Sequence, residues 1–311
     1  MRLGTRGSNL ALWQATWVRD RLAERGVAAE IVVIKTRGDA EVDRPLQELE
    51  GKGFFTKEIE EALLAGRIDV AVHSLKDLPT RLPDGLALGA VPRRAAVVDV
   101  LVARAGPVAS LAALPAGARL GTSSVRRVAQ VRHLRADLEV VPLRGNVPTR
   151  VQKVRDGAGL DAALLAAAGL ERLGLADAIS ARLDPLEVMP PPAQGALGLE
   201  IRADDGAARA MLRPLSDPQT ALHVAAERAL LAALGGGCQT PVAAYAGPRQ
   251  PGDGGEGGDR GGTLLYGRVT ALDGSVQLTA SAAFDGRAAG DVGEEVARLL
   301  LEQGAQRFLG R

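Results

Sequence analysis

The sequence predicts an α/β protein of two lobes built on one plan, followed by an α+β module. Three observations predict it. Short apolar runs alternate with amphipathic stretches through the first two-thirds of the 311 residues, the pattern of strands joined by helices. The opening segment Arg2-Leu3-Gly4-Thr5-Arg6-Gly7-Ser8 is echoed by Arg119-Leu120-Gly121-Thr122-Ser123-Ser124. The last third changes character, with a helix, a hairpin pattern around Asp273-Gly274 and a closing amphipathic stretch.

Taken in order, residues 10–25 carry apolar positions at helical spacing and predict a helix. Residues 30–34 and 69–73 are apolar runs that predict buried strands, and residues 54–64 predict a second helix starting near Thr56. The echo at Arg119 repeats strand, Gly-Thr turn and helix, and each copy leads to another strand, ending at Thr36-Arg37-Gly38-Asp39 or at Leu143-Arg144-Gly145-Asn146. Sheets that are largely parallel follow, and the two lobes face each other across a cleft. The crossover between them falls at 93–99, and the return at the stiff Val188-Met189-Pro190-Pro191-Pro192. Residues 195–201 read as a strand that rejoins the first lobe. The expected units are therefore 1–94 with 195–213, 99–189, and 216–311. In the last unit, residues 220–234 predict a helix, 264–284 a hairpin and 292–309 a closing helix. The Gly- and Asp-rich run 248–262 predicts a surface loop.

Composition excludes several functions. Aromatics are 3% of the chain, too few for the stacking platforms of single-stranded nucleic-acid binders. A net charge of +1 argues against a general polyanion binder, although local arginine clusters can still select small anions. The apolar stretches are broken by charges well short of a bilayer span, and the first residues hold no apolar signal core. A cytoplasmic, reducing location is expected, and it suits the single cysteine, Cys238. One thiol forms no internal disulfide. It is either a small buried apolar residue or a nucleophile, and the glycines at 235–237 leave room beside it.

Chemistry concentrates at predicted strand ends. His73-Ser74-Leu75-Lys76-Asp77-Leu78-Pro79 follows a buried strand, where open α/β sheets place ligands; in an extended chain Lys76 and Asp77 would point to opposite sides. Thr122-Ser123-Ser124-Val125-Arg126-Arg127 puts hydroxyls and two arginines in the first helical turn, where cations oppose the helix dipole unless an anion offsets them. Arg144-Gly145-Asn146-Val147-Pro148-Thr149-Arg150 adds two more arginines. Guanidinium forks bind carboxylates through paired hydrogen bonds, so the pattern points to a polycarboxylate or phosphate ligand. There is no GxxxxGK[ST] loop, no GxGxxG after a strand and no nucleophile elbow. His73, His133 and His223 lack metal-ligand spacing with one another or with Cys238, so no metal is expected. His73 reads as a core or supporting histidine, and Trp13 and Trp17 as packing residues.

Together these segments resemble the porphobilinogen deaminase (hydroxymethylbilane synthase) family almost end to end. The motifs are Thr5-Arg6-Gly7-Ser8 with Leu10-Ala11-Leu12-Trp13-Gln14-Ala15, Thr36-Arg37-Gly38-Asp39, and Gly51-Lys52-Gly53-Phe54-Phe55. They continue with His73-Ser74-Leu75-Lys76-Asp77, Gly121-Thr122-Ser123-Ser124, Arg144-Gly145-Asn146-Val147, Gln194-Gly195-Ala196 and Gly236-Gly237-Cys238-Gln239. The resemblance implies two lobes like those of periplasmic binding proteins and a third domain carrying the cysteine. It implies a monomeric transferase of heme biosynthesis that joins four porphobilinogen molecules head to tail, releases ammonia at each step, and passes hydroxymethylbilane to uroporphyrinogen-III synthase. It also implies a dipyrromethane primer attached to Cys238 through a thioether.

By the same resemblance Asp77 is the catalytic carboxylate. Lys76, Thr122, Ser124, Arg126, Arg127, Arg144, Gly145 and Gln194 hold the primer, and Arg6, Ser8, Arg144, Arg150 and Arg172 the substrate. Lys52 and Phe55 belong to a flexible loop over the cleft. The sequence departs from the family at Glu48, at Ala193 where glycine is usual, in the crossover Ala95-Ala96-Val97-Val98-Asp99, and in the 248–262 run. Two rivals share parts of the pattern. A binding protein for a small dicarboxylate explains the arginines but leaves Asp77 and the cysteine domain unexplained. A thiol-redox enzyme lacks a resolving cysteine.

Overall fold

The computed structural model describes residues 1–36, 56–104, 106, 108–237, 239–250 and 262–309. The first sheet is built from β1 (Arg2–Thr5), β2 (Glu30–Val33), β3 (Val70–Ser74), β4 (Leu86–Ala90) and β10 (Leu197–Arg202), in the order β2-β1-β3-β10-β4. The second uses β5 (Asp99–Ala103), β6 (Arg119–Gly121), β7 (Glu139–Val141), β8 (Ala162–Ala166) and β9 (Ala181–Arg182), in the order β7-β6-β8-β5-β9. The expected echo is thus a repeat of topology. Leu3 pairs in parallel with Ile31 on one side and Val70 on the other, as Leu120 does with Val140 and Ala162. In each sheet one strand runs antiparallel to its neighbours, β10 against β3 and β4, β5 against β8 and β9. Both are the strands that arrive from the other lobe. β10 is the returning strand read at 195–201.

Helices cover both faces of each lobe sheet. Ser8 caps α1 (Asn9–Ala23) by accepting from the Ala11 N–H, and the helix buries Ala15, Val18 and Leu22 against Leu3, Val70 and Leu199. On the other face α2 (Lys57–Leu64) packs Ile59, Ala62 and Leu63 on Ile68 and Ala71. The second lobe repeats this with α3 (Val125–Leu134) and α4 (Val147–Arg155), the latter capped by Asn146 and carrying proline in its first turn. Its short α5 (Ala167–Arg172) follows β8 directly. α6 (Gly206–Leu212), after β10, is capped by Asp205 and buries Leu212 under the first sheet.

The third unit holds α7 (Pro218–Ala233), β11 (Val242–Pro248), β12 (Thr263–Thr270), β13 (Gln277–Ala283) and α8 (Ala289–Glu302). The expected hairpin turns at Gly274, φ 80°. Two readings are corrected here. The sheet has a third strand, β11, whose Val-Ala-Ala-Tyr-Ala-Gly-Pro sequence carries little β-propensity and is held by burial between β12 and α7. The closing helix is shorter than 292–309, because Gly304 at φ 92° ends it and Ala305–Phe308 forms a separate 3₁₀ turn. Within the 248–262 run, Arg249 N–H donates to Gly262 O at 2.9 Å; residues 251–261 lie outside the described residues.

The two crossovers run against each other where the lobes meet. Ala95 N–H donates to Gly195 O at 3.1 Å. Gly195 has φ 82°, and a Cβ there would lie 2.6 Å from Ala95 O and 2.8 Å from Ala96 O. Only glycine fits this backbone approach. Gly195→Ala is expected to destabilise the protein by about 2 kcal/mol or more; an unchanged urea midpoint would contradict the close approach.

Candidate active site

The residues expected to act gather at the carboxyl ends of parallel strands. Arg6 and Ser8 follow β1, Lys76 and Asp77 follow β3, Thr122 to Arg127 follow β6, and Arg144, Gly145 and Arg150 follow β7. Arg172 ends α5 after β8, and Gln194 lies in the second crossover. Strand ends leave backbone N–H groups and helix N-termini open toward one cleft.

Gln194 joins the lobes at its floor. Its Nε2 donates to Asp99 Oδ1 at 2.7 Å and to Val97 O at 2.8 Å, and its Oε1 accepts from Lys76 Nζ at 3.1 Å. Leu75–Asp77 forms a 3₁₀ turn rather than extended chain, which corrects the expected alternation. Lys76 thereby reaches the floor while Asp77 stays exposed. Asp77 lines a pocket of about 70 Å³ with Arg6, Ser8, Gln14, Thr56 and Ser74. Gln14, which the sequence placed only in a motif, donates from Nε2 to Ser74 Oγ at 2.8 Å.

Arg127 departs from its expected role. Its Nε and Nη2 each donate to Asp99 at 2.7 Å, and its Nη1 to Leu164 O at 3.1 Å. The pair is buried, with the Asp99 side chain 0% exposed, so this guanidinium neutralises a buried carboxylate and has little left for a ligand. Arg126 Nη1 donates to Thr240 O at 3.3 Å, which sets the segment flanking Cys238 beside the N-terminus of α3. Thr240 also closes its own turn, its hydroxyl donating to Gly237 O at 2.7 Å. Thr122 Oγ1 accepts from Ser124 N–H at 3.3 Å, and Arg150 Nε donates to Gly145 O at 2.7 Å, where Gly145 has φ 112°. Arg172 Nη2 donates to Gly195 O at 2.7 Å, and its guanidinium lies 5.7 Å over the Trp13 ring. The packing expected of Trp13 is thus a contact between lobes. His73 is buried, with Nε2 3.2 Å from Glu200 Oε2. Cys238, Lys52 and Phe55 lie outside the described residues, as does Glu48.

The cleft carries more positive than negative charge. Arg150 is pushed down to about 10, first by desolvation and then by repulsion from Arg127 and Arg144. Burial drives Lys76 down to about 8, against the attraction of Asp77 and with Arg127 and Arg126 adding repulsion. Arg172 is also held near 10 by burial. Desolvated cations that repel one another are costly unless an anion joins them. This is the electrostatic fit for a ligand with several carboxylates.

Two arrangements were not legible in the sequence. Arg94 and Glu227 form a buried pair with both bonds at 2.8 Å, and Arg228 grips the turn after β3. The signal was a charged Glu-Arg step inside the otherwise alanine- and leucine-rich α7.

Lys76 allows a check of this charge balance in the unliganded chain. Below pH 8 it is protonated both folded and unfolded, so its burial cost is fully present. Between about pH 8 and its ordinary value of 10.5 the unfolded chain binds more protons, so stability rises with pH. Lys76→Met is expected to lose that rise in denaturant titrations across this window; an identical pH dependence in both proteins would contradict it.

Comparison with known proteins agrees with this geometry. Residues 1–210 match the family model "Porphobilinogen deaminase, dipyromethane cofactor binding domain", and residues 221–302 match "Porphobilinogen deaminase, C-terminal domain". The porphobilinogen deaminase of Syntrophobacter fumaroxidans is 46% identical over 99% of this chain and 96% of its own. That of Roseiflexus sp. is 54% identical over 78% of this chain and 80% of its own. Among solved structures, a Salmonella typhimurium periplasmic binding protein with high arginine specificity covers 71% of this chain and 95% of its own, at 14% identity and a TM-score of 0.41. With both family models matched in order and relatives aligned over nearly their whole length, the chain belongs to the porphobilinogen deaminase family.

Proposed function

We propose that this chain is a hydroxymethylbilane synthase whose catalytic carboxylate is Asp77. It deaminates porphobilinogen and joins four molecules into linear hydroxymethylbilane. The observation that carries the residue assignment is an exposed carboxylate, Asp77, close enough to the cations Lys76 and Arg150 to attract both, and sharing a pocket with Arg6.

The chemistry asks for that combination. Each porphobilinogen brings an acetate and a propionate, so a chain growing in the cleft adds negative charge at every step. Arg6, Ser8, Arg144, Arg150 and Arg172 hold the carboxylates of the incoming molecule, and Lys76, Thr122, Ser124 and Arg126 those of the chain already built. Arg127, through Asp99, and Gln194, through Lys76, keep these groups oriented. Dipyrromethane, when bound through Cys238, supplies the free pyrrole carbon to which new units are added and remains with the protein. The repelling cations around Lys76 and Arg150 suit its acidic side chains.

Asp77 acts on charge. Breaking the aminomethyl C–N bond of porphobilinogen releases ammonia and leaves a cationic methylene-pyrrolenine. A carboxylate fixed beside it stabilises that cation, and the cation formed when the new C–C bond closes. Asp77 also relays the proton lost as the pyrrole regains aromaticity. Thiolate chemistry at Cys238 is needed once, to attach the primer. The same reading places the protein in the cytoplasm as a monomer that hands its product to uroporphyrinogen-III synthase. No helix among the described residues is long and apolar enough to cross a membrane. Sedimentation as a dimer would overturn the monomer.

Two measurements test the assignment. Intact mass of the purified protein is expected to exceed the sequence mass by two pyrrole units, with the adduct mapping to Cys238 in digests; an unmodified thiol in active protein overturns the anchor. Asp77→Asn is expected to keep substrate binding while turnover falls about 100-fold or more. Turnover near wild type would remove Asp77 from its role.

A further inference from the structure

We propose that Arg228 is a positioning residue for Asp77, holding from helix α7 the turn that carries it. The proposal rests on the reading of Asp77 given above. Arg228 belongs to the third unit, yet its guanidinium closes on a turn of the first lobe. Nη1 donates to Leu78 O at 3.2 Å and Leu75 O at 3.5 Å, and Nη2 to Pro79 O at 2.6 Å and Thr80 O at 3.2 Å. These carbonyls surround Lys76 and Asp77. The end of a helical turn leaves carbonyls without partners inside the turn, and their partial negative charge favours a cation. Leu75 O also accepts the Leu78 N–H at 3.2 Å, so the fork reinforces that bond. By holding Leu78 O, Pro79 O and Thr80 O as well, it fixes the path of the chain on both sides of Asp77.

Apolar packing doubles the grip. Val224, one helical turn before Arg228 and on the same face, is buried in one cluster with Leu75 and Leu78. Between them Glu227 holds Arg94 and the Ala193 N–H, so α7 is pinned to both crossovers and cannot slide along the turn it grips. The helix then runs on to Ala233, and Gly235 at φ 65° turns the chain away from the helix axis. From Arg228 to the end of the helix is about 8 Å at 1.5 Å per residue. One element thus grips the turn that carries Asp77 and, within three helical turns, launches the segment that carries the anchor cysteine. The contacts that Arg228 makes with this turn are to backbone carbonyls. Its effect is on orientation, where errors near 1 Å can cost about 100-fold in rate.

The test compares Arg228→Met, which keeps length and loses every donor, with Arg228→Lys, which keeps charge but cannot reach four carbonyls. Rates are taken per molecule bearing the pyrrole adduct, as counted by intact mass. The expected order of kcat is wild type above Lys above Met, with a loss of tenfold or more for Met and KM within twofold throughout. The cations assigned to the incoming molecule, Arg6, Arg144, Arg150 and Arg172, lie outside this turn, and Lys76 within it is assigned to the chain already built, so KM for porphobilinogen is expected to hold. A purely structural arginine would lower yield and melting temperature without changing kcat per adduct-bearing molecule, and that result overturns the proposal. Should Arg228→Met fail to fold, Arg228→Lys decides alone: reduced kcat at constant KM supports the clamp, and wild-type kcat overturns it. Asp77→Asn run in parallel separates the two readings. If it turns over normally, the role of Asp77 fails; if it is inactive while Arg228→Met and Arg228→Lys match wild type, only the clamp fails.

Discussion

Glu227 is the buried charge on which the arrangement of the three units depends. Its side chain is 0% exposed, and it accepts four donors. Oε1 takes Arg94 Nη1 at 2.8 Å and Ala246 N–H at 2.9 Å, while Oε2 takes Arg94 Nη2 at 2.8 Å and Ala193 N–H at 2.6 Å. A carboxylate so far from water is tolerable only when fully paired. Its partners come from the first crossover, the second crossover and β11, so that requirement fixes three chain segments around one point. Arg94 Nε carries the link onward to Gln194 O at 2.7 Å. The Gln194 side chain then meets Lys76 and Asp99. The cleft floor is therefore tied to the third unit through a continuous set of hydrogen bonds.

The crossover carries local strain in support of this. Ala193 sits at φ 63°, a left-handed conformation that costs a residue with a Cβ about 1–2 kcal/mol. The bond to Glu227 and complete burial hold it there. A glycine at this position would carry no such cost, and the strain lies in the second crossover. Gly195, next but one, has no such latitude because two carbonyls of the opposing crossover occupy the space a Cβ would need.

Two kinds of arginine line the same cleft. Arg127 and Arg94 are matched one to one with buried carboxylates and define the frame. Arg150 and Arg172 donate to backbone carbonyls, neutral partners that leave them less fully neutralised than Arg127 and Arg94, with Asp77 and Glu171 only weakly offsetting their burial. That division explains how a chain with a net charge of +1 concentrates attraction for carboxylates in one place. Desolvation of Arg150 and Arg172, with repulsion of Arg150 by Arg127 and Arg144, is the cost that an anionic chain relieves on binding.

Periodicity and motif order by themselves determined much of this protein. Alternating apolar runs set the strands and helices, and the Arg2 and Arg119 echo foretold the repeated sheet order. The places of Asp77, Arg144 and Arg150 at strand ends were legible because polar residues there follow apolar runs, while the roles expected of them came from the family resemblance. What only the tertiary structure decided lies in pairings between distant segments. That Arg127 serves Asp99, that Trp13 lies under Arg172, and that Arg228 grips the Leu75 turn all depend on which surfaces the folded lobes bring together. β11 was missed for a related reason, since alanine and glycine show no strand preference until a neighbouring sheet buries them. A sequence reports the chemistry each residue can offer, and long-range burial chooses its partner.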